Sequence, residues 1–105
     1  MRVITKVRLL ELAAAHADSV PTVKQWLSTV ESALWSNFSD IRKTYNSADI
    51  LRLNSGRTVY IFNLRSDRLI AAIHFTPASP SRGRVYVREF LTHAAYDKNT
   101  WKERN

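Results

Sequence analysis

Arg84–Leu91, with the sequence RVYVREFL, predicts a basic strand that runs directly into Thr92–Asp97, THAAYD. The β-branched and aromatic residues of the first part are typical of a strand. A strand followed by His93, Tyr96 and Asp97 brings titratable groups to one edge of a sheet, beside two arginines of the strand itself. We expect this edge to hold a phosphate group and to move a proton next to it.

Three earlier segments also predict strands, because they are rich in β-branched and aromatic residues. They are Ala48–Leu53, Arg57–Asn63 and Arg68–Phe75. Asn54–Gly56 separates the first two as a turn, since glycine can take the positive φ that a hairpin needs. Pro77, Pro80 and Gly83 indicate a loop before the last strand.

The N-terminal half predicts a short strand at residues 2–4 and then two helices. The first helix spans Lys6–Ala17, with a stripe at helical spacing formed by Val7, Leu10, Ala14 and Ala17. The second begins near Pro21, where Thr22 and Gln25 fit a capping box. Its core-facing stripe is Val23, Trp26, Leu27, Val30 and Leu34. One further helical turn is expected at Ser39–Thr44.

The tryptophans Trp26 and Trp35 admit two interpretations. They could offer aromatic platforms for nucleic-acid bases, but their spacing favours packing in the core.

Helices in a run followed by strands in a run indicate an α+β fold. We expect a single domain over residues 1–105, with two N-terminal helices packed on one face of a three- or four-stranded antiparallel sheet. We call the opposite face of the sheet the distal face. Alternation along the strands assigns to it Arg68, His74, Arg84, Tyr86, Arg88 and Phe90. It assigns to the helical side Leu69, Ile73, Val85, Val87, Glu89 and Leu91.

Charge and composition narrow the class of partner. The formal net charge is +7, and arginine supplies eleven of the sixteen basic residues. Seven arginines fall between residues 50 and 90, which favours a polyanion partner, either nucleic acid or an acidic protein. Cysteine is absent, which excludes disulfides and thiolate metal sites. No apolar run approaches the ~20 residues of a membrane helix, and the N-terminus has no signal-peptide pattern, so a cytoplasmic location is expected.

Four stretches of the chain resemble the HigB-type toxins of the RelE superfamily. They are Met1–Ile4, Ala33–Ser36, Val59–Asn63 with its continuation Arg68–Ile70, and Val87–Asp97. Their order and spacing hold over nearly the whole chain, and the Thr-His-x-x-Tyr-Asp ending is the most specific of them. One departure is the turn Leu64–Asp67, which is shorter than the glycine-containing turn usual in the family.

The resemblance implies a RelE-like fold and the toxin half of a type II toxin–antitoxin pair. It implies an mRNA interferase, an endoribonuclease that cuts messenger RNA on the translating ribosome. The implied partner is a helix-turn-helix antitoxin, and operator DNA is expected to be contacted only through the complex with that antitoxin. No membrane partner is implied.

The same residues can be assigned roles in metal-independent RNA scission. Arg68 and Arg88 are predicted to clamp phosphate, although either could instead pair with a neighbouring carboxylate. His93 and Tyr96 are the candidate proton carriers, with purely structural roles at the C-terminal turn as the alternative. Asp97 is expected to orient or cap. The predicted RNA-binding residues are Arg65, Arg84, Tyr86, Lys98 and Lys102.

Three further expectations concern the tail, the metal and the class of function. Trp101, Lys102 and Arg104 are expected to form a mobile basic tail. No metal or other cofactor is predicted, because the three histidines stand alone rather than at ligand spacing. Two alternatives to the ribosome-dependent nuclease stay open: a nuclease that cuts free RNA, and a noncatalytic RNA- or protein-binding module.

Overall fold

A computed structural model describes all 105 residues and contains one five-stranded sheet with four α-helices. The strands are β1 (Arg2–Val3), β2 (Asp49–Arg52), β3 (Thr58–Leu64), β4 (Asp67–His74) and β5 (Arg84–Thr92). The helices are α1 (Lys6–Ala14), α2 (Val20–Ser32), α3 (Phe38–Thr44) and α4 (His93–Asp97). Short 3₁₀ turns lie at Ala17–Ser19, Pro80–Arg82 and Thr100–Lys102. None of the helices is long and apolar enough to cross a membrane.

The sheet is mixed, with the strand order β1-β5-β4-β3-β2. The four longer strands form the predicted antiparallel meander, but β1 pairs with β5 in parallel, through Arg2 opposite Arg84 and Val3 opposite Val85. The α+β class is therefore confirmed, whereas the prediction of a three- or four-stranded antiparallel sheet was wrong. A two-residue strand carries too few residues to show a pairing direction in the sequence.

The helices pack on one face of the sheet and bury the main core. The buried stripe of α2 consists of Val23, Trp26, Leu27 and Val30, as predicted, while Leu34 lies beyond the helix and is exposed. The helix begins at Val20, two residues before the predicted capping box. On α1 the predicted stripe was wrong, because Leu9 and Ala13 are buried and Val7 is 70% exposed. A helix rich in Leu and Ala on all sides leaves the phase of its buried face ambiguous.

Aromatic side chains fill the centre of this core. The ring centroid of Phe62 lies 5.4 Å from that of Trp26 and 6.2 Å from that of Trp35. Both indoles are buried, so the interpretation of these tryptophans as core residues is confirmed. Their faces are not available to a base.

Strand β5 carries one extra residue relative to β4. Ile70 pairs with Glu89 and Ala71 pairs with Val87, so Arg88 has no partner residue on β4. An extra residue of this kind is a β-bulge, which interrupts the alternation of side chains between the two faces. The side chains that follow Arg88 on β5 therefore face the opposite side of the sheet from the one that strict alternation predicts.

The bulge changes which residues of β5 face the helices. Val85 and Val87 pack in the main core as predicted, and so does Phe90, which was assigned to the distal face. Glu89 and Leu91 lie on the distal face instead. The predictions for these last three residues were wrong, because the sequence around the bulge contains no glycine or other sign of an extra residue.

A second, smaller core covers the centre of the distal face. Trp101 is fully buried there against a patch of apolar strand residues, Leu53, Val59, Ile61 and Ile70. The C-terminal segment, residues 98–105, thus folds back over the sheet. The prediction of a mobile tail was wrong for Trp101, because the distal face presents an apolar patch that an indole can bury.

The turn between β3 and β4 is tight. Leu64 pairs with Asp67, which leaves only Arg65 and Ser66 to reverse the chain, and Arg65 adopts a φ of 60°. This left-handed conformation is the one that glycine takes most readily. Asp67 is buried and accepts a hydrogen bond from the hydroxyl of Ser19, which ties the turn to the helical layer.

Candidate active site

Arg68 and Tyr96 meet at the end of the distal face where β5 passes into α4. The guanidinium carbon of Arg68 lies 6.0 Å from the centroid of the Tyr96 ring, within the range of a cation–π contact. Nη1 of Arg68 also donates to the carbonyl oxygen of Asp67 at 3.0 Å. The side chain is half-buried and held at two points, while the remaining guanidinium donors have no protein partner.

Tyr96 is held from its other side by the C-terminal segment. Its ring stacks on Trp101, with centroids 5.4 Å apart and planes 17° apart, and the indole N–H donates to the Tyr96 carbonyl at 3.0 Å. Partial burial raises the pKa of the Tyr96 phenol; the carboxylates of Asp49 and Asp97 add to this effect and Arg68 opposes it. A phenol keeps its proton at neutral pH even without this shift, so Tyr96 can act as a proton donor but not as a base.

His93 lies one turn away from Tyr96, on the exposed side of α4. Its Nε2 lies 3.1 Å from Oδ2 of Asp97, and both side chains are more than half exposed. The main chain of His93 donates to the carbonyl of Ser66 at 3.1 Å, and the Thr92 hydroxyl accepts from Ala95 N–H at 3.1 Å as the helix cap. The main chain thus fixes the C-terminal turn while the imidazole stays accessible.

Arg88 belongs to a different group of contacts. Its Nε donates to Oδ1 of Asn105 at 2.9 Å, and Nε of Arg57 donates to a main-chain oxygen of Asn105 at 3.1 Å. Glu89 accepts from Arg104 at 2.8 Å. Ile70 packs under the Trp101 indole. Along the paired strands β4 and β5, it lies between the position of Arg68 and that of Arg88. The two arginines share the distal face as predicted, but the structure does not bring them into one cluster.

The predicted RNA-binding residues are spread along the distal face and its edges. Arg84 lies at the opposite end of β5 from α4, roughly 25 Å away at ~3.3 Å per strand residue, and Tyr86 lies nearer the middle. Arg65 and Lys98 are exposed beside α4, and the ammonium of Lys102 lies 5.8 Å from the Trp101 ring centroid. Lys98 directly follows α4 and Lys102 lies against the indole that supports Tyr96, whereas the Arg65 side chain reaches the carbonyl of Asp18 in the helical layer.

Two contributors to this site were absent from the sequence predictions. Asp49 on β2 is near enough to Tyr96 to affect its pKa, which depends on strand pairing that the sequence does not show. Trp101 supports the Tyr96 ring, and the spacing of two aromatic residues five apart was the only available signal. No three His, Asp or Glu side chains come together in an arrangement that would hold a metal ion.

Comparison with known protein families identifies one match. Residues 19–99, more than three quarters of the chain, match the HigB toxin family, described as the RelE-like toxic component of a toxin–antitoxin system. No curated protein matches the chain closely enough to count as a relative. The matched range contains Arg68, Arg88, His93 and Tyr96 and ends after α4. The resemblance noted in the sequence is confirmed, and the chain belongs to the HigB family of RelE-like toxins of toxin–antitoxin systems.

Proposed function

We propose that this toxin is an endoribonuclease that cleaves messenger RNA on the translating ribosome without a metal cofactor. The contact between the Arg68 guanidinium and the Tyr96 ring, with the His93–Asp97 pair on the same short helix, supports this proposal most strongly. A cation beside two groups that can exchange protons is what transfer of a phosphoryl group within RNA requires.

Each side chain has a separate role in the proposed reaction. The imidazole of His93 accepts the proton of the ribose 2′-hydroxyl, whose oxygen attacks the adjacent phosphorus. Arg68 stabilises the negative charge that develops on the non-bridging phosphoryl oxygens. The phenol of Tyr96 gives its proton to the departing 5′-oxygen. The products are a 2′,3′-cyclic phosphate and a 5′-hydroxyl. His93 is left protonated and Tyr96 deprotonated, and proton exchange with water restores both before the next turnover.

The remaining cations bind RNA on either side of the scissile phosphate. Lys98 and Lys102 lie at the end of the face near α4, Arg65 lies in the turn before β4, and Arg88 and Arg84 lie farther along the face, together with the aromatic Tyr86. Arg88 reaches a flanking phosphate rather than the scissile one, because it lies apart from Arg68 and is already bound by Asn105. The substrate and its ribosome are cytoplasmic, and we expect the toxin to act there.

The family also implies an antitoxin partner. We propose that this partner is a helix-turn-helix protein and that operator DNA is bound only through the complex of the two. The net charge of +7 favours an acidic docking segment on that partner.

The test uses purified toxin, translating ribosomes and a defined message, with cut sites mapped at nucleotide resolution. Wild type is expected to cut within the translated region and Arg68→Ala is not. Arg8→Ala is the matched control, because it removes the same charge from an exposed position on α1, on the other side of the sheet. No cleavage by the wild type in translating or naked RNA would overturn the proposal, and cutting of naked transcripts at catalytic concentration would remove its ribosome dependence.

A further inference from the structure

A cleft on the distal face, away from the candidate active site, has the chemistry of a nucleotide site. It has a volume of about 480 Å³ and lies between the turn after β2 and the C-terminal segment. Its lining includes Leu51, Leu53, Arg52, Asn54, Lys102 and Glu103. The volume falls in the range of about 300–1,000 Å³ that is usual for small-molecule sites.

The lining divides into three kinds of group. Leu51 and Leu53 give an apolar floor, on which the face of a base can pack. Lys102 is a cation without a carboxylate partner and can meet the sugar-phosphate backbone. Arg52 also lines the cleft, although it alternates along β2 with Leu51 and Leu53. Glu103 forms no ion pair and presents a carboxylate, which can only accept hydrogen bonds when ionised.

The cleft lies within reach of an RNA strand bound at Tyr96. Asp49, which influences Tyr96, and Arg52, which lines the cleft, are the two ends of β2 and lie roughly 10 Å apart at ~3.3 Å per residue. Leu51 between them packs against the small core that contains Trp101. A strand that enters the active site could therefore seat a neighbouring nucleotide in the cleft.

We propose that this cleft binds one RNA nucleotide next to the cleavage site and selects a base that carries an exocyclic amino group. The inference rests on the proposed function. The Glu103 carboxylate accepts a hydrogen bond from the amino group of cytosine, adenine or guanine. Uracil has a carbonyl oxygen where cytosine has its amino group, and its remaining donor on that edge, N3–H, lies between two carbonyl oxygens that the carboxylate repels, so uracil is disfavoured.

Cytidine and uridine 5′-monophosphates provide a direct test, because they differ chiefly in the amino or oxo group at position 4 of the base. In a titration of the ¹⁵N-labelled chain followed by NMR, we expect cytidine monophosphate to bind about tenfold more tightly than uridine monophosphate. The largest shifts should fall on the amides of Asn54, Ser55 and Glu103.

Glu103→Gln should remove this discrimination, because an amide can donate or accept. Glu11→Gln is the control, since it removes the same charge from an exposed position on α1. Equal binding of the two nucleotides by the wild type, shifts confined to another part of the surface, or unchanged discrimination in Glu103→Gln would each overturn the proposal.

The positions of the cuts in RNA distinguish a failure of this inference from a failure of the proposed function. Wild type should avoid uracil at one position close to the cut, and Glu103→Gln should cut with no such avoidance. Cleavage with the same base preference in wild type and Glu103→Gln would overturn only the proposal about the cleft. Selective binding of cytidine monophosphate with no cleavage of any RNA would overturn the proposed nuclease and leave the cleft as a nucleotide site.

Discussion

The two arginines assigned to phosphate binding lie in different surroundings on the same face of the sheet. Arg68 lies against the neutral ring of Tyr96, whose helix also carries the His93–Asp97 pair. Arg88 is hydrogen-bonded to Asn105, beside a carboxylate that already binds Arg104. A guanidinium with unpaired donors near proton-transferring groups suits a reacting phosphate, while one with a polar partner must exchange that partner for RNA. Under the proposed function, this difference assigns Arg68 to the chemical step and Arg88 to binding.

Trp101 supports the surroundings of Arg68 through Tyr96 and those of Arg88 through Asn105. Its replacement should therefore have the largest effect, which is on stability. The Trp101 indole stacks on the Tyr96 ring, and the main-chain carbonyl of Trp101 accepts a hydrogen bond from Nδ2 of Asn105 at 2.6 Å. Trp101→Ala should lower the free energy of unfolding by about 3–5 kcal/mol, because it leaves a cavity in the small core. Urea unfolding followed by circular dichroism measures this. Lys102→Ala, at the next position, should lower the free energy of unfolding far less. A loss below about 1 kcal/mol for Trp101→Ala would contradict the packing of Trp101 in the small core.

Arg68→Ala should have the next largest effect. The substitution removes the cation that stabilises the transition state, so kcat should fall about 10²-fold with little change in KM. Single-turnover cleavage of a defined message on ribosomes measures the two constants separately. Arg68→Lys should recover only part of the rate, because an ammonium lacks the planar fork of the guanidinium. A main effect on KM would assign Arg68 to binding and remove the distinction between the two arginines.

Arg88→Ala is expected to have a smaller effect of a different kind. Loss of a contact to a flanking phosphate should raise KM by about tenfold or less and leave kcat nearly unchanged. The same ribosome assay should also show a weaker dependence of KM on salt than in the wild type. A fall in kcat equal to that of Arg68→Ala would mean that the two guanidinium groups act on one phosphate after a rearrangement of Asn105.

Much of the fold could be predicted from local patterns. The strands β2 to β5 begin and end within one residue of their predicted bounds, because β-branched runs and turn residues are local signals. The parallel pairing of β1, the bulge at Arg88 and the burial of Trp101 were not predicted. Each depends on a partner distant in the sequence, so no local pattern contains it.

The candidate site divides in the same way. His93 and Tyr96 were predicted as a pair because they belong to one motif on α4. The proximity of Arg68 to Tyr96 agrees with the predicted distal face, since both residues lie at the same end of neighbouring elements. The separation of Arg88 from Arg68 could not be predicted, because it depends on where the C-terminal segment folds back.

The smallest expected effect concerns pH and compares the two faces of the sheet. Burial raises the pKa of Tyr60 on the helical side, as it raises the pKa of Tyr96 on the distal face. A phenol with a raised pKa in the folded state stabilises the fold below its unfolded-state value of about 10. That stability is lost as the pH rises through the folded-state pKa, because the unfolded chain releases its protons first.

The urea midpoint of the wild type should therefore fall above about pH 10, and Tyr96→Phe and Tyr60→Phe should each make that fall less steep. Because the two phenols are on opposite faces, the double variant should combine the two changes additively. Midpoints between pH 8 and 11 measure the slopes. If Tyr60→Phe changed the slope and Tyr96→Phe did not, the Tyr96 phenol would be as hydrated in the folded chain as in the unfolded one. The partial burial of Tyr96 between Arg68 and Trp101 would then be contradicted.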